Sequence, residues 1–246
     1  MNADRARKEV RAELMLPWQT REALAARPVA YIPLGTIEWH CEHLPVGLDA
    51  LTAHGVCAQA ALEDGGLVLP ALHYGTGGGH GAYPWTIMMD GDAEISAQLG
   101  KTLSRLEDFG CRLAVLFSGH FADTQLAMID RIAAGWNGAQ RPMRVFATAV
   151  NRIEGLTIAP DHAGVFETML LYALYPQLVQ LGRLPSLEEA PVTTDDWAES
   201  RHDPKHPVWG VFGPDPRRFD PAQASSLLTA SVKWLVARVG TELPKA

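Results

Sequence analysis

The sequence predicts a layered α/β fold with a mostly parallel central sheet. Short apolar runs alternate along the chain with segments whose apolar residues recur at helical spacing. The clearest buried strand is 113–117, and 29–34 is a second one. Strands separated by helices pair in parallel, because each helix returns the chain across the sheet. With no internal repeat or low-complexity segment, we expect one domain over 1–246.

The remaining elements follow from the same periodicities. In chain order we expect a charged helix and entry segment within 3–26, a strand at 29–34, a helix from Asp49 to Leu62, a strand at 67–72, a helix at 92–109, a strand at 113–117, a helix from Asp123 and a strand at 143–150. Within 162–178 we expect a helix that follows His162-Ala163-Gly164 and is closed by Tyr175-Pro176, and the last helix runs from Gln223 to Val239. Residues 183–222 carry seven prolines and little periodicity. We expect this segment to be an active-site cover or a subunit contact.

The composition argues against several classes of binding partner. The formal net charge is −7 with no block of like charge, which argues against nucleic acid and against an anionic membrane surface. The three cysteines are widely spaced and form no CxxC pair, as is typical of a reducing compartment. No apolar run reaches about 18 residues, and the charged start of the chain lacks a signal-peptide pattern. We expect a cytoplasmic protein that acts on a small molecule.

The loop after the first strand concentrates metal-binding residue types. Glu38 and His40 are two residues apart, so on an extended backbone they point the same way. Asp49 follows a turn and precedes a helical pattern. Two carboxylates and an imidazole at the end of a buried strand could hold a metal ion. The alternative is a polar loop in which Asp49 is only a helix N-cap.

Two more strand-to-helix junctions carry candidate residues. In open α/β sheets ligands bind outside the carboxyl ends of the strands. His120 follows the strand 113–117 across a glycine, and its alternative role is to cap the next helix. His162 and Glu167 lie at a third junction. Glu167 is either a solvated first-turn residue that favours the helix dipole or a residue aimed at the site.

Four motifs together resemble the creatininase (creatinine amidohydrolase) family. They are Gly35-Thr36-Ile37-Glu38-Trp39-His40-Cys41-Glu42-His43-Leu44-Pro45 with Asp49, Tyr74-Gly75 through His80, Tyr83-Pro84 and Thr86, Ser118-Gly119-His120, and Asp161-His162-Ala163-Gly164-Val165-Phe166-Glu167-Thr168. They occur in the family's order and span about 29–180. The resemblance implies a Rossmann-like three-layer α/β/α sandwich, hydrolase activity, a divalent metal centre and a homo-oligomer, often a hexamer.

The resemblance also implies a ligand set. Carried over by position, Glu38, His40, Asp49 and His120 are metal ligands, with Asp49 bridging if two ions bind, and Glu167 is a fifth. Imidazole and carboxylate ligands suit Zn, Mn or Fe, in one or two ions. The sequence departs from creatininase proper where Ala122 replaces a glutamate ligand and Ile158 replaces a tryptophan over the substrate. Both departures weaken creatinine as the substrate.

The expected chemistry is attack of a metal-activated water on a carbonyl. We expect His162 to donate the proton to the leaving atom, Asp161 to orient its imidazole, and Glu167 or Glu42 to accept the water's proton when not bound to metal. The residues expected to contact substrate are His43, His80, Tyr83 and Trp85, and for His43 and His80 a structural role is the open alternative. Trp39 is interpreted as a core residue. Cys41 stands at the family's glycine position, and a role as an extra metal ligand is disfavoured because the family does without it.

Several functions fit this set of residues. The first is hydrolysis of a cyclic amide or a related C–N bond. The alternatives are C–C cleavage of an inositol-derived cyclic ketone, or deformylation of a formamide. The least favoured is a catalytically inactive metal-binding oligomer, because a dead site has no use for the proton donor His162.

Overall fold

The computed structural model describes residues 9–193 and 195–245, and its centre is a parallel sheet. The strands are β1 (Val29–Leu34), β2 (Leu67–Val68), β3 (Leu113–Ser118) and β4 (Arg144–Ala149). Their order across the sheet is β2-β1-β3-β4, and every pair is parallel. β1 and β3 are central and fully buried, as their continuous apolar sequences predict.

In the part of the chain that the structure describes, six α-helices flank the sheet. They are α1 (Pro17–Ala26), α2 (Leu48–Asp64), α3 (Ala93–Asp108), α4 (Asp123–Gly138), α5 (Val165–Leu174) and α6 (Pro221–Glu242). Within 9–193 and 195–245, no helix is both long and apolar enough to cross a membrane.

Alternation along the strands divides the core into two layers. In β3, Val115 and Phe117 pack in the cluster that α2, α5 and α6 share, while Ala114 and Leu116 face the cluster that includes α3 and α4. Successive side chains of a strand point to opposite faces, so one strand serves both layers. The three-layer α/β/α fold is therefore confirmed.

One predicted element is shorter than expected, and one helix ends where it was predicted to end. The strand predicted at 67–72 is regular only at Leu67–Val68. Pro70 has no N–H to donate, and beyond it only Leu72 bonds back to β1, through the carbonyl of Pro33 at 3.0 Å. The helix predicted after His162-Ala163-Gly164 begins at Val165 and ends before Tyr175-Pro176 as predicted, because proline disfavours a helical residue before it.

The described residues of the proline-rich segment 183–222 form turns and short 3₁₀ helices before α6 begins at Pro221. The 3₁₀ helices Glu199–His202 and Pro216–Arg218 lie within it. Phe212 pairs with His162 through two backbone hydrogen bonds of 2.8 and 2.9 Å. The segment therefore touches the residues predicted to be functional, as a cover would.

Candidate metal centre

Asp49 is positioned by two close contacts between the backbone of α2 and the glycines that follow β1 and β3. A Cβ on Gly35 would lie 2.2 Å from the nitrogen of Ala50, and a Cβ on Gly119 would lie 2.0 Å from the carbonyl oxygen of Asp49. Only glycine permits this packing, so the first turn of α2 sits directly on the ends of β1 and β3. The N-cap of α2 is Gly47. The alternative in which Asp49 serves only as an N-cap is therefore wrong.

The five residues predicted as ligands converge around the Asp49 carboxylate. Its Oδ1 lies 3.2 Å from Nε2 of His40, and its Oδ2 lies 3.4 Å from Nδ1 of His120. Glu38 Oε2 is 3.0 Å from the same nitrogen of His120. Glu167 Oε2 is 3.5 Å from Nε2 of His40. Side chains from three strand ends thus meet within one small volume.

Each imidazole at the centre is held by a main-chain carbonyl. His40 donates from Nδ1 to the oxygen of Glu38 at 2.9 Å, and His120 donates from Nε2 to the oxygen of Gly77 at 2.9 Å. A carbonyl oxygen only accepts, so the nitrogen facing it carries the proton. In the neutral ring the other nitrogen, Nε2 of His40 or Nδ1 of His120, has its lone pair directed at the carboxylates. This is the outer-shell arrangement that orients histidine ligands on a metal.

Unpaired buried atoms show that the residues fit a cation. Among the described residues, Glu38 Oε2, His40 Nε2 and Asp49 Oδ2 are buried and lack a hydrogen bond of proper geometry. One ligand atom from each of these three residues lies within 4.8 Å of the others. Such atoms are costly to bury unless they have a partner. A divalent ion among them would satisfy all three.

Electrostatics favours the same interpretation. Burial opposes the charge on Asp49, yet His40 and His120 lower the pKa of this carboxyl to about 2. Burial likewise disfavours a charged His40, yet Asp49 and Glu167 raise the pKa of its ring to about 10. The pKa of His120 also rises well above its usual value, since Asp49 and Glu38 outweigh burial. The carboxylates thus hold two positive charges in the site, and one divalent cation would supply the same charge.

Glu167 faces the site and is not the solvated first-turn residue of the alternative interpretation. It lies in the first turn of α5 and is buried. Its Oε2 accepts the N–H of Ala163 at 2.6 Å while facing His40. Burial, together with the charges of Asp49 and Asp161, raises the pKa of the Glu167 carboxyl well above its usual range.

His80 and His162 complete the inner wall of the site. His80 Nδ1 donates to Oε1 of Glu38 at 2.6 Å, which leaves the other carboxylate oxygen directed at His120. The ring of His162 stacks on His80 with centroids 4.1 Å apart, and its Nε2 donates to the carbonyl of Trp39 at 3.0 Å. Burial and then the charge of His40 lower the pKa of His162 well below its usual value. His162 is therefore neutral, with its lone pair on Nδ1.

The centre forms the floor of a cavity of about 380 Å³. Its lining residues are Glu38, Asp49, Gly78, His80, His120, Phe121, Ala122, Asp123, Thr124, His162 and Glu167. This volume suits a small molecule. Ala122 forms part of the wall, so this position contributes a methyl group and no ligand oxygen.

Asp161 does not have the role that we expected. Its carboxylate accepts the backbone N–H groups of Gly164 at 3.1 Å, Phe166 at 2.9 Å and Glu167 at 3.3 Å. These bonds satisfy the free N–H groups at the start of α5. The one ring hydrogen bond of His162 found within the described residues goes to Trp39 instead. We therefore correct our prediction that Asp161 orients His162: the side chain caps a helix.

Three of the four residues expected to contact substrate lie outside the cavity lining. His43 is buried and bonds Thr168 at 3.1 Å through Nε2. Tyr83 bonds His202 at 2.6 Å and packs edge-on against His80, so it supports the wall from behind. Trp85 is 77% exposed. Within this chain, His80 is the one of the four that lines the cavity.

Other residues of the first motif also lie away from the cavity. Cys41 has a φ of 58°, in the left-handed region, which explains why the family has glycine there. Its side chain packs in an apolar cluster with Leu44 and Leu48, as expected for a residue that is not a ligand. Glu42 is exposed and does not line the cavity. Trp39 is buried against Trp209, in the core role that we expected.

Sequence reasoning missed the main-chain anchors and Phe212. The carbonyl of Gly77 belongs to the motif Tyr74-Gly75 through His80, in which nothing indicates that a main-chain oxygen binds His120. Phe212 lies 50 residues from His162 in a segment without periodicity, so no local pattern could have paired them.

Comparison with known proteins identifies the family. Residues 15–239 match the family model for creatininase, described as creatinine amidohydrolase. The chain belongs to the creatininase family. A creatinine amidohydrolase from Pseudomonas putida is 31% identical over 242 residues, which cover 88% of this chain and 86% of that protein. A mycofactocin precursor peptide peptidase from Mycobacterium ulcerans (strain Agy99) is 28% identical over 183 residues, which cover 67% of this chain and 66% of that protein.

Solved structures of creatininase agree with this assignment. The crystal structure of creatinine amidohydrolase has a TM-score of 0.75 and 26% identity, covering 97% of this chain and 100% of that chain. Two related structures are described as the Zn–Zn type and as creatininase Mn. As a member of the creatininase family, the chain is a metal-dependent hydrolase, and its cofactor is a divalent metal.

Proposed function

We propose that this chain hydrolyses a C–N bond in a small cyclic amide other than creatinine. The observation that carries the proposal is the convergence of Glu38, His40, Asp49 and His120 at the floor of the cavity. Ala122, in the cavity wall, supports the exclusion of creatinine, since it removes a carboxylate that creatininase proper has at this position.

The ligands that we propose are Glu38, His40, Asp49, His120 and Glu167. The bound divalent ion would polarise the substrate carbonyl and lower the pKa of water, as such ions do in hydrolases. Asp49 directs one oxygen to His40 and the other to His120, so a bridging role between two ions is compatible with its contacts.

We assign proton transfer to His162. Its Nε2–H is held by the Trp39 carbonyl, so Nδ1 carries the lone pair. Because its pKa is low, the neutral ring accepts a proton at Nδ1 and readily releases it to the leaving nitrogen. Asp161 takes no part in this step, since its oxygens bond the backbone of α5. His80 holds Glu38 and lines the cavity beside His162, on which its ring stacks.

A substrate panel with metal analysis tests the proposal. The protein is purified, its metals are measured by mass spectrometry, and turnover is compared for cyclic amides, creatinine, a formamide and a cyclic polyol-derived ketone. We expect zinc or manganese and the highest kcat/KM on a cyclic amide. Turnover restricted to the ketone or the formamide would refute the proposed bond type, and a protein that takes up no divalent ion would refute the site.

We also propose a single domain that assembles as a homohexamer in the cytoplasm. Tyr74, Trp85 and Ile87 are exposed large apolar residues near one another in the chain, which supports a covered face in an oligomer. The three free cysteines are buried and unpaired, which suits a reducing compartment. Sedimentation equilibrium tests the assembly, and a monomer at micromolar concentration would contradict it.

A further inference from the structure

Arg201 is a buried charge that the chemistry proposed above does not use. Its side chain is completely buried, and its Nε makes no hydrogen bond among the described residues. Its ion-pair partner within that part of the chain is Asp196 at 3.1 Å, and the Asp196 side chain is itself half exposed. Burying a guanidinium with one such partner is weak evidence for a stabilising role. The geometry around Arg201 points to another purpose.

Arg201 and Asp196 together fasten the turn 210–213. Nη1 of Arg201 donates to the carbonyls of Val211 at 3.2 Å and Gly213 at 2.6 Å. The backbone N–H of Gly213 donates to the carbonyl of Asp196 at 3.0 Å, and the N–H of Gly210 donates to the carbonyl of Arg201 at 2.8 Å. Both ends of the turn are therefore tied to this pair of residues.

The 210–213 turn also holds the backbone of His162. Phe212 and His162 exchange two main-chain hydrogen bonds. The ring of Phe212 also stacks on His80, with centroids 5.4 Å apart. The α-carbon of Gly213 packs so tightly on Asp161 that a Cβ there would lie 2.3 Å from the Asp161 Cβ. A shift of the turn must therefore shift His162.

We propose that Arg201 is a positioning residue that fixes the 210–213 turn and, through Phe212, the place of His162 in the cavity wall. The inference rests on the proposed function, because His162 is the residue that moves the proton. Other elements anchor the metal ligands, since His40 and His120 are held by the carbonyls of Glu38 and Gly77. Loosening the turn should therefore slow turnover and spare metal binding.

The test compares Arg201→Met with a matched control, Arg217→Met. Arg217 is a second buried arginine of the same segment, paired with Asp215 at 2.7 Å and bonded to carbonyls at 185, 186 and 190. Each variant is measured for melting temperature, metal content, kcat, KM and hydrogen exchange of the backbone amides of His162 and Phe212.

We expect Arg201→Met to keep its metal, lose about ten- to a hundredfold in kcat with KM nearly unchanged, and exchange both amides faster. Arg217→Met should lower the melting temperature by a similar amount with wild-type kcat and wild-type protection of both amides. Equal losses of kcat in the two variants, or unchanged protection of the amides in Arg201→Met, would overturn the proposal.

Asp196→Asn keeps the test decisive if Arg201→Met does not fold. The half-exposed Asp196 loses only its charge, so we expect a smaller change in kcat and in amide exchange in the same direction. Wild-type values for both would overturn the proposal. If the wild-type protein hydrolyses nothing in the substrate panel, the proposed function fails, whereas amide exchange still tests whether Arg201 positions His162.

Discussion

Gly119→Ala probes the contact on which the metal centre depends. The added Cβ would meet the carbonyl oxygen of Asp49 at 2.0 Å, its carbonyl carbon at 2.7 Å and its α-carbon at 2.9 Å. Real Cβ contacts essentially never fall below 3.0 Å, so the start of α2 must move by about 1 Å. All three contacts are with backbone, and no side-chain rotation can relieve them.

A displacement of about 1 Å moves Asp49 away from both His40 and His120. Misplacement on this scale costs on the order of 100-fold in rate, and overpacking destabilises by about 1–3 kcal/mol. We therefore expect Gly119→Ala to bind zinc at least about tenfold more weakly in a chelator competition assay, with a cooperative but lower melting transition.

Gly135→Ala is the matched control. Gly135 lies within α4, and nothing stands within 4 Å of an added Cβ. This variant should bind zinc like the wild type and gain up to about 1 kcal/mol in stability from its helix propensity. Wild-type zinc affinity and turnover in Gly119→Ala would show that the close approach does not position Asp49.

Four further outcomes follow from the site. His120→Ala should lose metal and activity together, and full metal content in this variant would remove His120 from the ligand set. His162→Ala should keep its metal and lose about 10²–10⁴-fold in kcat, and a wild-type rate would refute its role in proton transfer. Chelation should lower the melting temperature by removing a ligand of the native state alone, and added zinc should restore it. Thiol reagents at pH 8 should label no cysteine until the protein unfolds, because burial raises the pKa of Cys111 to about 11 and raises that of Cys57 well above its usual value; labelling of the native protein would contradict the packing.

The sequence predicted the sheet well where strands are central. Val29–Leu34 was predicted to the residue, and β3 differs by one residue from 113–117. Continuous apolar runs bounded by glycine or polar residues leave little choice. For the edge strand β2 the apolar pattern predicts too long a strand, because Leu69 and Leu72 are as apolar as a strand requires. Only Pro70 indicates that the pairing with β1 stops there.

The convergence of Glu38, His40, Asp49 and His120 was predictable because strand ends meet at one edge of a parallel sheet. Their roles as ligands are what the family resemblance implies. The prediction that Asp161 orients His162 was wrong because residues adjacent in the sequence need not hydrogen-bond each other. Its carboxylate faces the open N–H groups of α5, and the imidazole of His162 turns to Trp39. The contact with Phe212 was out of reach for the opposite reason, since it joins segments that share no local pattern.

The main-chain anchors of His40, His120 and His162 have a consequence for divergence within the family. Their partners are the carbonyl oxygens of Glu38, Gly77 and Trp39, which no mutation of those side chains deletes. Substitutions at these three partner positions therefore leave the acceptors that orient the histidine rings in place. The side chains that line the rest of the cavity are free to vary, so substrate specificity can change while the metal centre keeps its geometry.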